Sequence, residues 1–89
     1  MNITAQALTQ RLQERLNPVF VEVLDESAAH AGHVGANDSG TGTHFRVRIQ
    51  SDVFTGQSRV SRHRLVYDAL QEYMDLGLHA LAIEVIENP

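Results

Sequence analysis

The sequence contains five histidines and no cysteine, so a soft metal or cluster bound by this chain would be held by nitrogen or oxygen ligands or by the thiolates of a partner. His30 and His33 are three residues apart in a stretch that contains glycine, and His79 opens an apolar run near the end of the sequence. Neutral imidazole is a ligand for zinc and iron, but two imidazoles alone leave a site underfilled. His30 and His33 therefore do not make a zinc site by themselves, whereas one of them could complete a metal site that a partner already holds.

The position of His79 supports two compatible interpretations. His79 shares strand parity with Leu81, Ile83 and Val85, which favours a histidine packed at the margin of the core. It also lies beside Gly77 at the beginning of a strand, where the sheet frays toward solvent and a ring nitrogen could protrude. We expect a ring that is anchored on one side and exposed on the other.

A second group of candidate residues is basic. All seven basic residues are arginine, and residues 65–89 contain acids but no arginine. Near the beginning of the second helix a compact patch could contact phosphates, formed by Arg59, Arg62, His63 and Arg64. The alternative is a solvated helix face whose arginines pair with Asp52, Asp68 or Glu72. The net charge of -4 opposes a generic attraction to nucleic acid.

The sequence contains no motif that indicates an enzyme. It has no cysteine nucleophile, no glycine-rich phosphate loop and no Gly-x-Ser-x-Gly motif, and 89 residues bury too little surface for a deep active site as well as a core. We expect His44 to be a solvated or strand-pairing residue and His63 to be half-buried and hydrogen-bonded. The chain has no apolar run long enough to cross a bilayer and no recognisable signal region, so we expect a cytoplasmic binding module without a membrane partner.

The elements that position these residues follow from the spacing of apolar side chains. A helix is predicted over residues 4 to 16, with Thr4 as its N-cap and Asn17-Pro18 as its end. Strand one follows Pro18, and strand two lies in THFRVRIQS, where Phe45 and its alternate neighbours face one way. Between these strands, residues 27 to 42 contain four glycines and no sustained periodicity, which predicts an enlarged hairpin loop.

The second half of the chain predicts one more helix and one more strand. The helix runs from about Ser58 to Met74, and LHALAIEVI alternates as strand three after Gly77. Because a helix separates strands two and three, these strands should be parallel if they are adjacent. The chain is therefore predicted to be a single α+β domain over residues 1–89, of order α-β-β-α-β, with a three-stranded mixed sheet and helices on one face.

Four segments in this order and spacing resemble the BolA family over nearly the whole chain: VEVLDESAAHAGH, THFRVRIQSDVFTG, RHRLVYDAL and GLHALAI. The resemblance implies the family's fold, which is related to the type II K-homology domain. It also implies a monothiol glutaredoxin partner with which a 2Fe-2S cluster is shared, in iron homeostasis and iron-sulfur trafficking. The family's strand histidine corresponds to His79, and its loop ligand corresponds to His30 or, because the loop is extended here, to His33.

The ligand set that the resemblance implies agrees with the composition. A chain without cysteine cannot supply thiolates, so a glutaredoxin cysteine and glutathione would hold one iron while imidazoles complete the other. Two neutral histidines on one iron raise the reduction potential and make the ligation sensitive to pH. No cofactor is expected in the isolated chain, which is expected to be a monomer or a weak homodimer.

The resemblance also keeps a role with nucleic acid open. Some members of the family are described as transcriptional regulators that affect cell shape and stress responses, and the basic patch at Arg59, Arg62, His63 and Arg64 could bind DNA. K-homology domains clamp the nucleic acid backbone with a Gly-x-x-Gly loop. The matching turn here, Thr55-Gly56-Gln57-Ser58, has one glycine, which argues against RNA binding of the usual kind.

Overall fold

A computed structural model of the chain describes residues 3–26, 44–78 and 80–87. Helix α1, Ala5–Leu16, begins where the Thr4 hydroxyl accepts a hydrogen bond from the backbone N–H of Ala7 at 3.0 Å. It ends at Asn17, which adopts a left-handed conformation with φ 45° and donates its N–H to the carbonyl of Gln13. Both predicted ends of the first helix are confirmed.

The three strands form one mixed sheet in the order β1-β2-β3. Strand β1, Phe20–Asp25, pairs antiparallel with β2, His44–Gln50, and β2 pairs parallel with β3, Ala80–Val85. The predicted hairpin and the predicted parallel pair are both confirmed. Strand β2 is the central strand and pairs with both others, so Val47 lies opposite Val23 of β1 on one side and Ile83 of β3 on the other.

The second predicted helix is divided in two. Helix α2 covers Arg59–Ala69 and helix α3 covers Gln71–Asp75, with Leu70 between them at φ -107° and ψ 12°. The N–H of Leu70 is shared among several preceding carbonyls, which interrupts the regular helical hydrogen bonding while Leu70 stays fully buried. The prediction of one continuous helix to Met74 was therefore wrong, because the spacing of apolar residues does not reveal an interruption that leaves Leu70 in the core.

The core lies between the helices and one face of the sheet, as predicted. Residues of β2 and β3 point into it, and the rest come from the helices, from Leu70 between α2 and α3 and from Leu78 before β3. Its buried members are Leu8, Leu12, Leu16, Phe45, Val47, Ile49, Phe54, Val66, Leu70, Tyr73, Leu78 and Leu81. Within the described part of the chain, none of the helices has the length and apolar character that a membrane crossing requires.

One buried hydroxyl joins the end of α1 to the end of β2. Ser51 is 7% exposed, and its Oγ donates to the carbonyl of Leu16 at 2.7 Å. The same oxygen accepts the N–H of Val53 at 3.3 Å and so caps a short 3-10 turn at Asp52–Phe54. This pair of hydrogen bonds holds the turn from which α2 departs.

The opposite face of the sheet carries a network of ion pairs beside the exposed Phe20 and Leu24. Arg46 lies between Glu26 at 3.0 Å and Glu84 at 3.7 Å, and Arg48 lies between Glu22 at 3.3 Å and the same Glu84 at 3.6 Å. The hydrogen bond to Glu26 is the main reason that the pKa of Arg46 is raised. The arginines of β2 are therefore engaged with carboxylates of both neighbouring strands.

Candidate functional site

The three predicted metal ligands, His30, His33 and His79, lie outside the described residues. The structure shows where the chain enters and leaves the two segments that contain them. At one end of the connection between β1 and β2, the N–H of Glu26 donates to the carbonyl of His44 at 2.8 Å. His44 also lies opposite Ala80, the first residue of β3.

His44 therefore marks one place in the sheet where three chain positions meet. Glu26 precedes the segment that contains His30 and His33, and Ala80 directly follows His79. The topology brings the approaches to the predicted loop ligand and the predicted strand ligand to the same end of the sheet. The ligand assignments themselves stay predictions, and within residues 3–26, 44–78 and 80–87 no group of three or more histidine or acidic side chains could hold a metal.

The predicted basic patch is divided by the structure. The Arg62 side chain is 21% exposed and lies between two elements of the fold. Its Nε donates to the carbonyl of Phe54 at 3.1 Å, and its Nη1 contacts the carboxylate of Glu87 at 2.5 Å. Arg62 thus connects the 3-10 turn to the segment after β3, and two of its five N–H donors are used within the fold.

Arg62 pairs with none of the acids that the sequence suggested. Of those acids, Glu72 pairs with Arg11 of α1 at 2.9 Å. The Arg11 guanidinium also lies 5.2 Å from the centroid of the Tyr73 ring, and its hydrogen bond to Glu72 raises its pKa. The expectation that arginines of the patch pair with Asp52, Asp68 or Glu72 was therefore wrong.

Two arginines of the patch remain available. Arg59 and Arg64 are exposed, and neither forms an ion pair within the described ranges. With His63 they line a shallow groove of about 430 Å³ whose other walls are Val60 and Tyr67. We call these five residues the α2 surface.

The α2 surface is more apolar than the sequence indicated. Val60 is 66% exposed, and Tyr67 is 37% exposed. The Tyr67 hydroxyl donates to the carbonyl of Leu81 at 3.3 Å, which fixes the ring between α2 and β3. Sequence reasoning missed this apolar stripe, and the signal that could have found it is the seven-residue spacing of Val60 and Tyr67.

A second groove of about 510 Å³ lies between the beginning of α2 and β3. Arg59 and His63 line both grooves. His63 is half-buried as expected, but its side chain forms no hydrogen bond with another described residue, so that part of the expectation was wrong. On the β3 side the groove is lined by Glu84 and Glu87. These two carboxylates make the groove electrically mixed, so it is a poor site for an anion.

The sequence of the chain matches one known protein family. The sequence profile described as "BolA-like protein" matches residues 12–88. The chain belongs to this family. The match includes every strand of the sheet and both helices that follow β2.

Several BolA-like relatives are similar over most of this chain. The chain is 50% identical over 80 residues to SufE-like protein 1, chloroplastic/mitochondrial, of Arabidopsis thaliana, covering 85% of this chain and 21% of that protein. The solved BolA domain of that protein has a TM-score of 0.81 and 44% identity, with 93% of this chain and 90% of that domain covered. The match to SufE-like protein 1 is therefore a match to one domain of a longer protein.

Two bacterial relatives are matched over more of their length. An uncharacterized protein in the cobS 5'region of Sinorhizobium sp. is 44% identical over 84 residues, which cover 94% of this chain and 89% of that protein. The DNA-binding transcriptional regulator BolA of Escherichia coli K12 is 40% identical over 78 residues, which cover 88% and 70%. The BolA-like relatives therefore include a transcriptional regulator and a domain of a longer protein rather than proteins of a single activity.

Proposed function

We propose that this BolA-like chain is an iron-sulfur adaptor that binds a monothiol glutaredoxin and shares a 2Fe-2S cluster with it. His79 and one of His30 and His33 are the proposed ligands. The observation that supports the proposal is the meeting of Glu26, His44 and Ala80, because it directs both histidine-containing segments to one end of the sheet.

The composition of the chain defines what each partner contributes. Without cysteine, this chain supplies no thiolate, so in the proposed complex it contributes imidazole nitrogen and the thiolates come from the glutaredoxin and from glutathione. Imidazole binds only in its neutral form, and its ordinary pKa lies near neutrality, so the ligation weakens as the solution is acidified. Such a site suits the transfer or sensing of a cluster better than its storage.

The test is reconstitution of the mixed proteins with glutathione, iron and sulfide. We expect visible circular dichroism and electron paramagnetic resonance spectra that differ from those of the glutaredoxin alone, and we expect His79→Ala to remove the difference. His63→Ala is the matched control, because His63 lies on α2 and is not a proposed ligand. An unchanged spectrum in His79→Ala would overturn the ligand assignment.

The same reconstitution separates the two loop candidates. His30→Ala and His33→Ala are compared one at a time, and the variant that loses the shared spectrum identifies the ligand. If both variants keep the wild-type spectrum while His79→Ala loses it, the second imidazole ligand is refuted and the adaptor supplies one ligand only.

A second candidate function is direct binding of duplex DNA through the α2 surface. The name of the Escherichia coli relative and the exposed Arg59 and Arg64 favour it. Each phosphate contact contributes about 0.9 to the slope of log affinity against log salt. Arg59→Ala combined with Arg64→Ala should therefore reduce that slope by about 2, and an unchanged slope would remove these arginines from any DNA contact.

A further inference from the structure

The outer edge of β3 is a row of backbone groups with which no described strand pairs. Strand β3 lies at one side of the sheet, and the N–H of Ile86, directly after it, donates to the carbonyl of Ile49 in β2 at 2.8 Å. In a parallel ladder alternate residues bond to the neighbouring strand, so Leu81, Ile83 and Val85 direct their N–H and C=O groups away from β2. These residues therefore present backbone donors and acceptors on the outer side of the strand.

One end of this edge is closed and the other is open. The hydroxyl of Tyr67 donates to the carbonyl of Leu81 at 3.3 Å, which agrees with the direction of that carbonyl and closes the edge beside it. Ile83 and Val85 have no such partner among the described residues, and both line the groove of about 510 Å³ between β3 and the beginning of α2. An edge strand with unpaired backbone groups is a template for a further strand.

The two sides of this groove differ in charge. Arg59 and His63 line it on the helix side, where the carboxylate of Glu87 is already paired with Arg62. Glu84 lies on the opposite face of the sheet, and its side chain is 50% exposed. Side chains of an added strand alternate between the same two faces. Such a strand therefore meets positive charge on its helix-facing side and a carboxylate on its other side.

We propose that this groove binds an extended peptide segment of another protein, which adds a strand to β3 by bonding to the backbone of Ile83 and Val85. The segment carries an acidic side chain that faces Arg59 and a neighbouring basic side chain that faces Glu84. Main-chain bonds supply the affinity of such a complex, and alternate side chains supply its specificity. The groove lies at the end of β3 remote from Ala80, so the proposal goes beyond the adaptor function and does not depend on the cluster.

The charges of the groove favour a peptide rather than a nucleic acid as the occupant. A phosphate backbone carries one sign of charge along its whole length and would meet the carboxylates of Glu84 and Glu87. An extended peptide offers backbone donors and acceptors at the repeat of the β3 edge, and it presents an acid on one side and a base on the other.

The test is a nuclear magnetic resonance titration of the isotope-labelled full chain with a blocked heptapeptide, Thr-Val-Lys-Glu-Thr-Val-Thr. The peptide is added up to about 2 mM, because so short a segment binds weakly. Its valines and glutamate share one side of the strand, and its lysine lies on the other. We expect the amide protons of Ile83 and Val85 to shift and to exchange with solvent at least about threefold more slowly. The amides of Glu84 and Ile86 are directed at β2 and should change less.

Three modified peptides test the backbone bonds and the side-chain order. Two are N-methylated at alternate residues, one at the even and one at the odd positions, so that each loses the donors of one edge. One of these should bind at least about fivefold more weakly than the other, because only one edge of the peptide contacts β3. The third, Thr-Val-Glu-Lys-Thr-Val-Thr, has the same composition and should bind at least about threefold more weakly, because its valines and glutamate no longer share a side.

Proline variants test the same bonds from the side of the protein. Val85→Pro removes an N–H that is not part of the ladder and should weaken binding at least about fivefold, while circular dichroism shows an intact fold. Val23→Pro is the matched control and should leave binding unchanged. The N–H of Glu26 donates to His44, so by alternation the N–H of Val23 faces the other edge of the sheet. Arg59→Glu should reverse the preference between the two charge orders of the peptide.

Two results would overturn the proposal. Equal binding of the two N-methylated peptides would exclude a strand added to the edge, whether or not Val85→Pro folds. Amides of Ile83 and Val85 that do not respond to about 2 mM peptide would exclude the groove as a peptide site. A single-stranded oligonucleotide that shifts these amides when the peptide does not would assign the groove to nucleic acid instead.

Discussion

Arg62 is expected to act on the stability of the fold rather than on binding, although it belongs to the basic patch that the sequence predicts. Arg62→Ala removes two contacts, one to the carbonyl of Phe54 and one to Glu87. A hydrogen bond from a charged group contributes about 1.5–3 kcal/mol when its partner is left unsatisfied. The Phe54 carbonyl also accepts the N–H of Gln57 at 3.1 Å, so it keeps one partner and the loss falls to about 1 kcal/mol.

The ion pair with Glu87 adds little more to the effect. The Glu87 side chain is 71% exposed, and exposed pairs contribute about 0–1 kcal/mol. We therefore expect Arg62→Ala to lower the free energy of unfolding by about 1.5 kcal/mol and Glu87→Gln to lower it by about 0.5 kcal/mol. The difference between the two variants isolates the hydrogen bond to Phe54.

Urea unfolding, followed by circular dichroism, measures these values. With a slope of about 1 kcal/mol per molar urea for a small domain, the midpoint for Arg62→Ala should fall by about 1.5 M. Arg59→Ala is the matched control and should shift the free energy by less than about 0.5 kcal/mol, because Arg59 forms no ion pair with a described residue. Equal stability of Arg62→Ala and the wild type would refute the structural role of Arg62. A binding defect in Arg62→Ala is interpretable only after this measurement.

Three further predictions concern the supports of the site. Ser51→Ala removes the bond to Leu16 and the cap on Val53, and calorimetry should show a loss of about 2 kcal/mol. Gly77 has φ +117°, a backbone conformation that residues with a side chain rarely adopt, so Gly77→Ala should lower the free energy of unfolding in urea by about 1–3 kcal/mol. Gly56 has φ +75°, which asparagine tolerates, so Gly56→Asn should lower it by less than about 1 kcal/mol. Equal losses in the two variants would contradict this reasoning. The pKa of Arg46 is raised in the folded chain, so the stabilisation by its ion pairs is fully present below the pKa of arginine in the unfolded chain and is lost only as the pH rises through the pKa of the folded chain. The difference in the free energy of unfolding between the wild type and Arg46→Gln should therefore be the same at about pH 7 and about pH 10.

Much of the fold could be predicted because local spacing and global packing agree. The alternation of Phe45, Val47 and Ile49 identified the core face of β2, and the helix between β2 and β3 implied that those strands are parallel. The end of α1 was predicted because Asn17 tolerates a left-handed backbone and Pro18 follows it. The strand alternation and the helix end are signals that lie within a few residues of the feature they predict, and the parallel pairing follows from the order of the elements.

The contacts of the basic patch could not be predicted because they join distant parts of the chain. Arg62 and Glu87 are 25 residues apart, and no periodic pattern relates them. The exposure of Val60 and Tyr67 depends on how α2 is rotated against the sheet, which the core-facing residues determine only in three dimensions. The family resemblance supplied the candidate ligands, and the structure supplied the common end of the sheet at which their segments begin and end.

The hydrogen bond between Glu26 and His44 has a consequence for insertion and deletion. It closes the pairing of β1 with β2, and the ion pair between Glu26 and Arg46 reinforces the same point. All paired residues of β1 and β2 therefore lie before residue 27 or after residue 43. Doubling the length of a flexible closed connection costs only about 0.6 kcal/mol in chain entropy, so the register of β1 against β2 depends little on how many residues join the two strands. The pairing of the two strands and the length of the segment that joins them are therefore largely independent properties of this domain.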